Sequence, residues 1–166
     1  MTHPVASPAK PRPRTLARVA AVQALYQAEQ AAQSPETVID QFIRHRLGPT
    51  GEDSAAADDG QLAAHIPLFA HIVRTATIQQ DTLDTLITNA LPDTWPLDRL
   101  DPVLRALLRA AGAELFLADG PPAKVVINEY LDVAHSFFSG EEPRLANGVL
   151  DRIAHHLRPT EFLPAT

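Results

Sequence analysis

The sequence predicts an all-α fold, a bundle of about six or seven helices. Three observations carry this. Apolar residues recur at three- and four-residue spacing through most of the chain. Pro, Gly and capping residues punctuate those segments where helices start and stop. No convincing strand appears. "KVVIN" (Lys124–Asn128) is strand-like alone, but Ile127, Leu131 and Ala134 carry it on at helical spacing.

Residues 1–13 contain Pro4, Pro8, Pro11 and Pro13 and read as a flexible, Pro-rich basic arm. The helical domain is expected over 14–159, with 160–166 as a tail. Helix one starts near Arg14 or Thr15, with Thr15 placed to cap it. Leu16, Val19, Ala20, Gln23 and Gln27 follow helical spacing, and Val22, Leu25 and Tyr26 widen the apolar face to about Gln33. Ser34-Pro35-Glu36 opens a second helix with a cap, a first-turn proline and an acid facing the dipole. Val38, Ile39, Phe42, Ile43 and Arg46 continue it until Gly48-Pro49. "GPTGEDSAAADDG" (48–60) is small, polar and acidic: a flexible loop, with a functional acidic lid as the alternative.

Leu62 to Leu91 is apolar at helical spacing, and Pro67 starts or kinks its main helix. Asp81 and Asp84 share a face there, as a metal pair or as solvated surface. Asp101-Pro102 opens the next helix, which buries Val103, Leu104, Leu107, Leu108, Ala111 and Leu115. The small residues Ala106, Ala110, Ala111, Gly112 and Ala113 let another helix approach closely. Asp119-Gly120-Pro121 ends it. A helix from Pro122 to Gly140 and a last one from near Pro143 to Pro159 complete the set.

The 166 residues suffice for one domain with a core, and 45% are hydrophobic. No apolar run reaches the roughly 18 residues that span a bilayer, and the first residues do not resemble a signal peptide. With no Cys, disulfides, a thiol nucleophile and thiolate metal sites are excluded. A cytoplasmic protein without membrane attachment is expected. Charge is uneven within a net −6. Lys10, Arg12, Arg14 and Arg18 fall in the first 18 residues with no acid among them, leaving ten cations against all twenty acids in the rest. A basic arm on an acidic body suits a phosphate-bearing partner; a solvated tail is the alternative.

No catalytic constellation is present. There is no nucleophile elbow, no HExxH, and neither a dinucleotide-binding nor a P-loop glycine pattern. His155-His156 are adjacent and diverge on a helix, and His65 and His71 are not at ligand spacing. An enzyme, a metal and a cofactor are therefore not expected. Glu114 and Glu129 on apolar helices read as structural carboxylates before they read as acid–base groups, with Arg109 a candidate partner for either.

Four stretches resemble the NusB family of bacterial transcription antitermination factors: "ARVAAVQALYQ" (Ala17–Gln27), "WPLDRLDPVLRALLRAAGAEL" (Trp95–Leu115), "PAKVVINEYLDVA" (Pro122–Ala134) and "LANGVLDRI" (Leu145–Ile153). They occur in the family's order and spacing, and the VINE and NGVLD elements together are specific. The resemblance implies two packed helical subdomains. It implies binding of the boxA element of nascent RNA together with NusE, a small-subunit ribosomal protein. That pair joins RNA polymerase in an antitermination complex tied to ribosomal RNA transcription. Some members of the family pair with a second copy of themselves, and others do not.

For RNA, a cationic helix start offers Lys10, Arg12, Arg14 and Arg18 plus free backbone N–H groups to phosphates. Phe137 matches a family position that contacts RNA, or packs in the core. Lys124 matches a basic family position, or is a plain surface Lys. Gln23 could bond a base edge or face solvent. For the protein partner, family matching points to Tyr26, Leu104, Arg105, Arg144 and Leu145, with a half-buried helix residue as the alternative for Tyr26.

Departures from the family are visible. Leu104 stands where Glu is frequent, and Gly112-Ala113 replaces a larger pair. His135 replaces a common Lys, and Leu145-Ala146 replaces Phe-Val. The acidic loop looks longer. Two other functions remain open at this level. One is an RNA-binding accessory domain of the kind fused to ribosomal-RNA cytosine methyltransferases; the other is a helical protein-binding scaffold. The lack of cofactor-binding strand–helix units and of Cys disfavours the first, and the basic arm disfavours the second.

Overall fold

A computed structural model describes residues 12–47, 65–117 and 119–164. The arm to residue 11, with Lys10, and the acidic stretch 48–60 lie outside the described residues. Seven helices form, and no strand among the described residues: α1 (Pro13–Ala31), α2 (Pro35–Phe42), α3 (Ile66–Ile78), α4 (Gln80–Ala90), α5 (Pro102–Leu115), α6 (Ala123–Phe137) and α7 (Glu142–Leu157). Five of them carry proline in the first turn, where a missing N–H costs nothing and φ is already helical. Two predicted caps are in place. Ser34 Oγ accepts from Thr37 N at 3.2 Å, and Asp101 Oδ1 accepts from Val103 N at 2.8 Å.

α5 is the hub. It packs against α1 and α3 on one side and α4, α6 and α7 on the other, joining an N-terminal subdomain (α1–α3) to a C-terminal one (α4–α7). Leu104, Leu107, Leu108 and Leu115 are sealed among these helices, each contributing about 1.5–3 kcal/mol. A Cβ on Gly112 would lie 2.7 Å from Leu83 Cδ2, so glycine sets how near α4 can come. That contact accounts for the glycine at 112.

Several boundaries differ from the sequence reading, each for a physical reason. α1 begins at Pro13, with Arg12 as an extended residue before it and no side-chain cap. Thr15 instead donates its hydroxyl to Glu129 Oε2 at 3.2 Å. The face α1 buries is also different. Ala17, Ala20, Ala21, Val22 and Ala24 are buried while Gln23 is exposed, because small side chains let α3 and α5 approach. After Phe42 the second helix widens into one π-type turn, Ile43–Leu47, which buries Leu47 and swings the Arg46 guanidinium 4.5 Å over the Phe42 ring. The segment up to Leu91 is two helices that part at Gln79, just after Thr77 Oγ1 donates to the Val73 carbonyl at 2.9 Å and competes with the helical pattern. The expected tail continues as a 3₁₀ turn, Pro159–Phe162, with the Phe162 ring stacked on His155 at 3.8 Å.

Candidate nucleic-acid interface

The opening turn of α1 is cationic and uncapped. Arg12 and Arg14 are exposed, the first turn holds no acid, and among the described residues no side chain accepts from its N–H groups. A 19-residue helix concentrates about half a positive charge at such an end, so fixed dipole and mobile guanidinium groups point the same way.

Arg18 does not belong to this surface, which corrects the sequence expectation. It is 3% exposed. Its Nη2 donates to Glu114 Oε1 at 2.7 Å and its Nε to Oε2 at 2.9 Å, and Nη1 lies 3.5 Å from Glu129 Oε2. Burial opposes the charge, but bonding to and attraction by Glu114 hold the guanidinium above its ordinary pKa. Lying three and four residues before Ala21 and Val22, Arg18 shares the inward face of α1. Glu114 is therefore the partner of Arg18, not of Arg109. Arg109 instead binds Asp84, Nε to Oδ1 at 2.8 Å, and Glu29, Nη1 to Oε2 at 2.6 Å. Asp84 is thus an ion-pair partner. Among the described residues no group of three or more His, Asp or Glu is arranged to hold a metal.

Arg14 lines an open groove of about 740 Å³ between the starts of α1 and α3 and the α5–α6 turn. His65 and His71 line it too, as do Leu117 and Pro121. Those histidines fail metal spacing, and only the fold brings them beside a cation. Lys124 is exposed on the first turn of α6, three residues beyond Pro121. Phe137, 39% exposed, closes the same helix. Thirteen residues separate these two, about 20 Å along the axis, so they are not one contact patch. Gln23 lies apart from the groove. It shares a shallow hollow of about 430 Å³ with Tyr26, Gln27, Gln30 and Arg46. Arg46 reaches it through the π-type turn, which the apolar pattern gives no means of anticipating.

The partner-side residues divide. Tyr26 is 39% exposed, Arg144 is exposed, and Leu145 is half-buried at the start of α7. Leu104 is fully buried, correcting its placement on a partner surface. Its spacing with Leu107, Leu108 and Ala111 puts it on the inward face of α5. Arg105 is held within the chain. Its Nε donates to Glu29 Oε2 at 3.1 Å, its Nη2 bonds the other Glu29 oxygen, and Nη1 reaches the Leu97 and Leu100 carbonyls at 3.2 Å. The Arg105 bond, with Arg109 adding to it, holds the Glu29 carboxyl below its usual range.

Comparison with known proteins agrees with this architecture. The NusB family model matches residues 15–155. A transcription antitermination protein NusB of Granulibacter bethesdensis is 61% identical over 153 residues, covering 91% of this chain and 93% of that protein. Among solved structures, T. maritima NusB aligns with a TM-score of 0.72 at 26% identity, covering 90% of this chain and 96% of that one. A structure of antitermination factors NusB and NusE in complex with dsRNA aligns at 0.69 and 22% identity, covering 87% and 98%. With its helical order, its two subdomains and this match across most of its length, the chain belongs to the NusB family of transcription antitermination proteins.

Proposed function

We propose that the chain is a non-catalytic RNA-binding antitermination factor. It binds single-stranded boxA RNA together with NusE, and the pair joins RNA polymerase to support ribosomal RNA transcription. The observation that carries this is the uncapped start of α1, with Arg12 and Arg14 exposed on a helix N-terminus. Such an end attracts phosphates through charge and through N–H groups that no side chain among the described residues accepts from. Lys124, exposed on the first turn of α6, is a further cation in this reading. Support for NusE as the partner comes from the related complex, which holds NusB and NusE with dsRNA, and from exposed Tyr26 and Arg144.

The test is a titration of boxA RNA and of a scrambled RNA with the protein alone, then with NusE. Binding tightens and becomes selective in the pair. Alanine at both Arg12 and Arg14 lowers the slope of log K against log salt by about 1.4, the value for two phosphate contacts on a single strand. A pair that prefers boxA no more than the scrambled RNA overturns the assignment.

A further inference from the structure

We propose that the groove beside Arg14 receives one unstacked nucleotide of the bound RNA, its phosphate on Arg14 and its base against the His71 imidazole. This rests on the RNA-binding reading and adds to it a base-accepting pocket.

Size and lining agree. About 740 Å³ falls within the range of small-molecule pockets. Leu68, Leu117 and Pro121 supply apolar surface for a base face. The two imidazoles supply a flat ring surface together with a donor or an acceptor for a base edge. Arg14 is exposed and bonds no carboxylate among the described residues. Asp119, at the opposite wall, repels a phosphate toward the Arg14 side and can accept from an exocyclic amine.

The far wall is set before any ligand arrives. Arg158, at the end of α7, reaches under the α5–α6 turn. It donates from Nε to the Leu115 carbonyl at 2.9 Å, from Nη2 to Leu117 at 2.8 Å and from Nη1 to Pro121 at 2.6 Å. Glu161 then accepts from the backbone N–H of Ala123 at 2.9 Å, fixing the turn that presents Lys124. A held wall avoids the entropy of ordering a loop on binding. Arg14 lines the groove and Arg12 precedes it by two residues, while Lys124 follows the lining residue Pro121 by three; all three cations are exposed. A strand that reaches these cations passes over the groove, and its evenly spaced phosphates bring one base to the groove mouth.

The experiment titrates the full chain with boxA-type single-stranded RNA and with a series in which one base at a time is removed. One abasic position is expected to weaken binding about five- to a hundredfold, the range for a stacked base. His71→Ala abolishes the difference between intact and abasic RNA at that position, and His71→Phe retains it. Arg14→Ala weakens both RNAs alike. His71 is exposed, so these variants are expected to fold. Salt-dependent binding with a flat abasic series, or an abasic penalty that survives His71→Ala, overturns the groove proposal alone. Loss of salt-dependent binding to every RNA overturns the RNA-binding reading beneath it. Imidazole NMR shifts of His71 that follow protein concentration, and not RNA, place a second copy in the groove and overturn the proposal.

Discussion

Arg18 and Glu114 form a two-bond ion pair sealed inside the protein, 2.7 Å from Nη2 to Oε1 and 2.9 Å from Nε to Oε2. It ties the first helix to the hub helix just beyond the proposed RNA-binding turn. Two charges removed from water cost several kcal/mol each, and the paired geometry with Glu129 behind it offsets that.

Removing either partner leaves the other buried and uncompensated. Arg18→Ala and Glu114→Ala are each expected to lose about 3–5 kcal/mol, while Arg18→Met with Glu114→Leu loses far less than the sum. Urea unfolding at pH 7 measures all three. Additive losses would show that the two side chains act independently.

Tyr130 contributes the opposite case. Its hydroxyl is buried beside the Glu114 carboxylate, with no hydrogen bond of regular geometry among the described residues; burial, the Glu114 charge and a weak bond toward that carboxylate push its pKa well above the ordinary value. Tyr130→Phe keeps the ring and removes the unsatisfied group, so stability should hold or rise by about 1 kcal/mol. A loss of more than that would reveal a bond the hydroxyl makes.

Acid should weaken the Glu29 cluster. The folded pKa lies below the unfolded 4.5, so its contribution is complete above 4.5 and is lost as pH falls through the folded value. Glu29→Gln is expected to lower stability by about 1 kcal/mol at pH 7, in keeping with a partly exposed pair. The gap to the unmodified protein should close on the acid side. A pH series of urea midpoints reads this directly, and a gap constant with pH contradicts it.

Core and partner roles separate by substitution. Leu104→Ala should cost about 2–5 kcal/mol of stability, as burial demands. Tyr26→Ala and Arg144→Ala should leave the unfolding midpoint nearly unchanged and weaken NusE binding at least fivefold, a loss above 1 kcal/mol in the manner of interface anchors. Calorimetry with NusE, beside thermal melts, distinguishes the two classes.

Helix placement was legible because its signals are local. Ser34-Pro35 and Asp101-Pro102 announce their helices within four residues, and both caps form. Which cations stay free was not legible. Arg12, Arg14 and Arg18 are alike in sequence, and only the packing of α5 against α1 takes Arg18 out of solvent. The alanine-rich inward face of α1 also escaped a reading weighted toward large side chains. Leu104 shows two arguments in conflict: family position pointed outward, spacing pointed inward, and spacing was right. The groove walls lie far apart in sequence, so neither His71 nor Arg158 could be assigned to them without the fold.

The 19 residues of α1 run unbroken from exposed guanidinium groups at one end to Tyr26 and Gln30 near the other. A rod rising 1.5 Å per residue works as a ruler between whatever occupies those two stations. One residue inserted midway would lengthen it only slightly, yet would rotate the far station by about 100°. A substitution at either end thus acts where it is made, whereas a change in the count between them re-aims one end against the other.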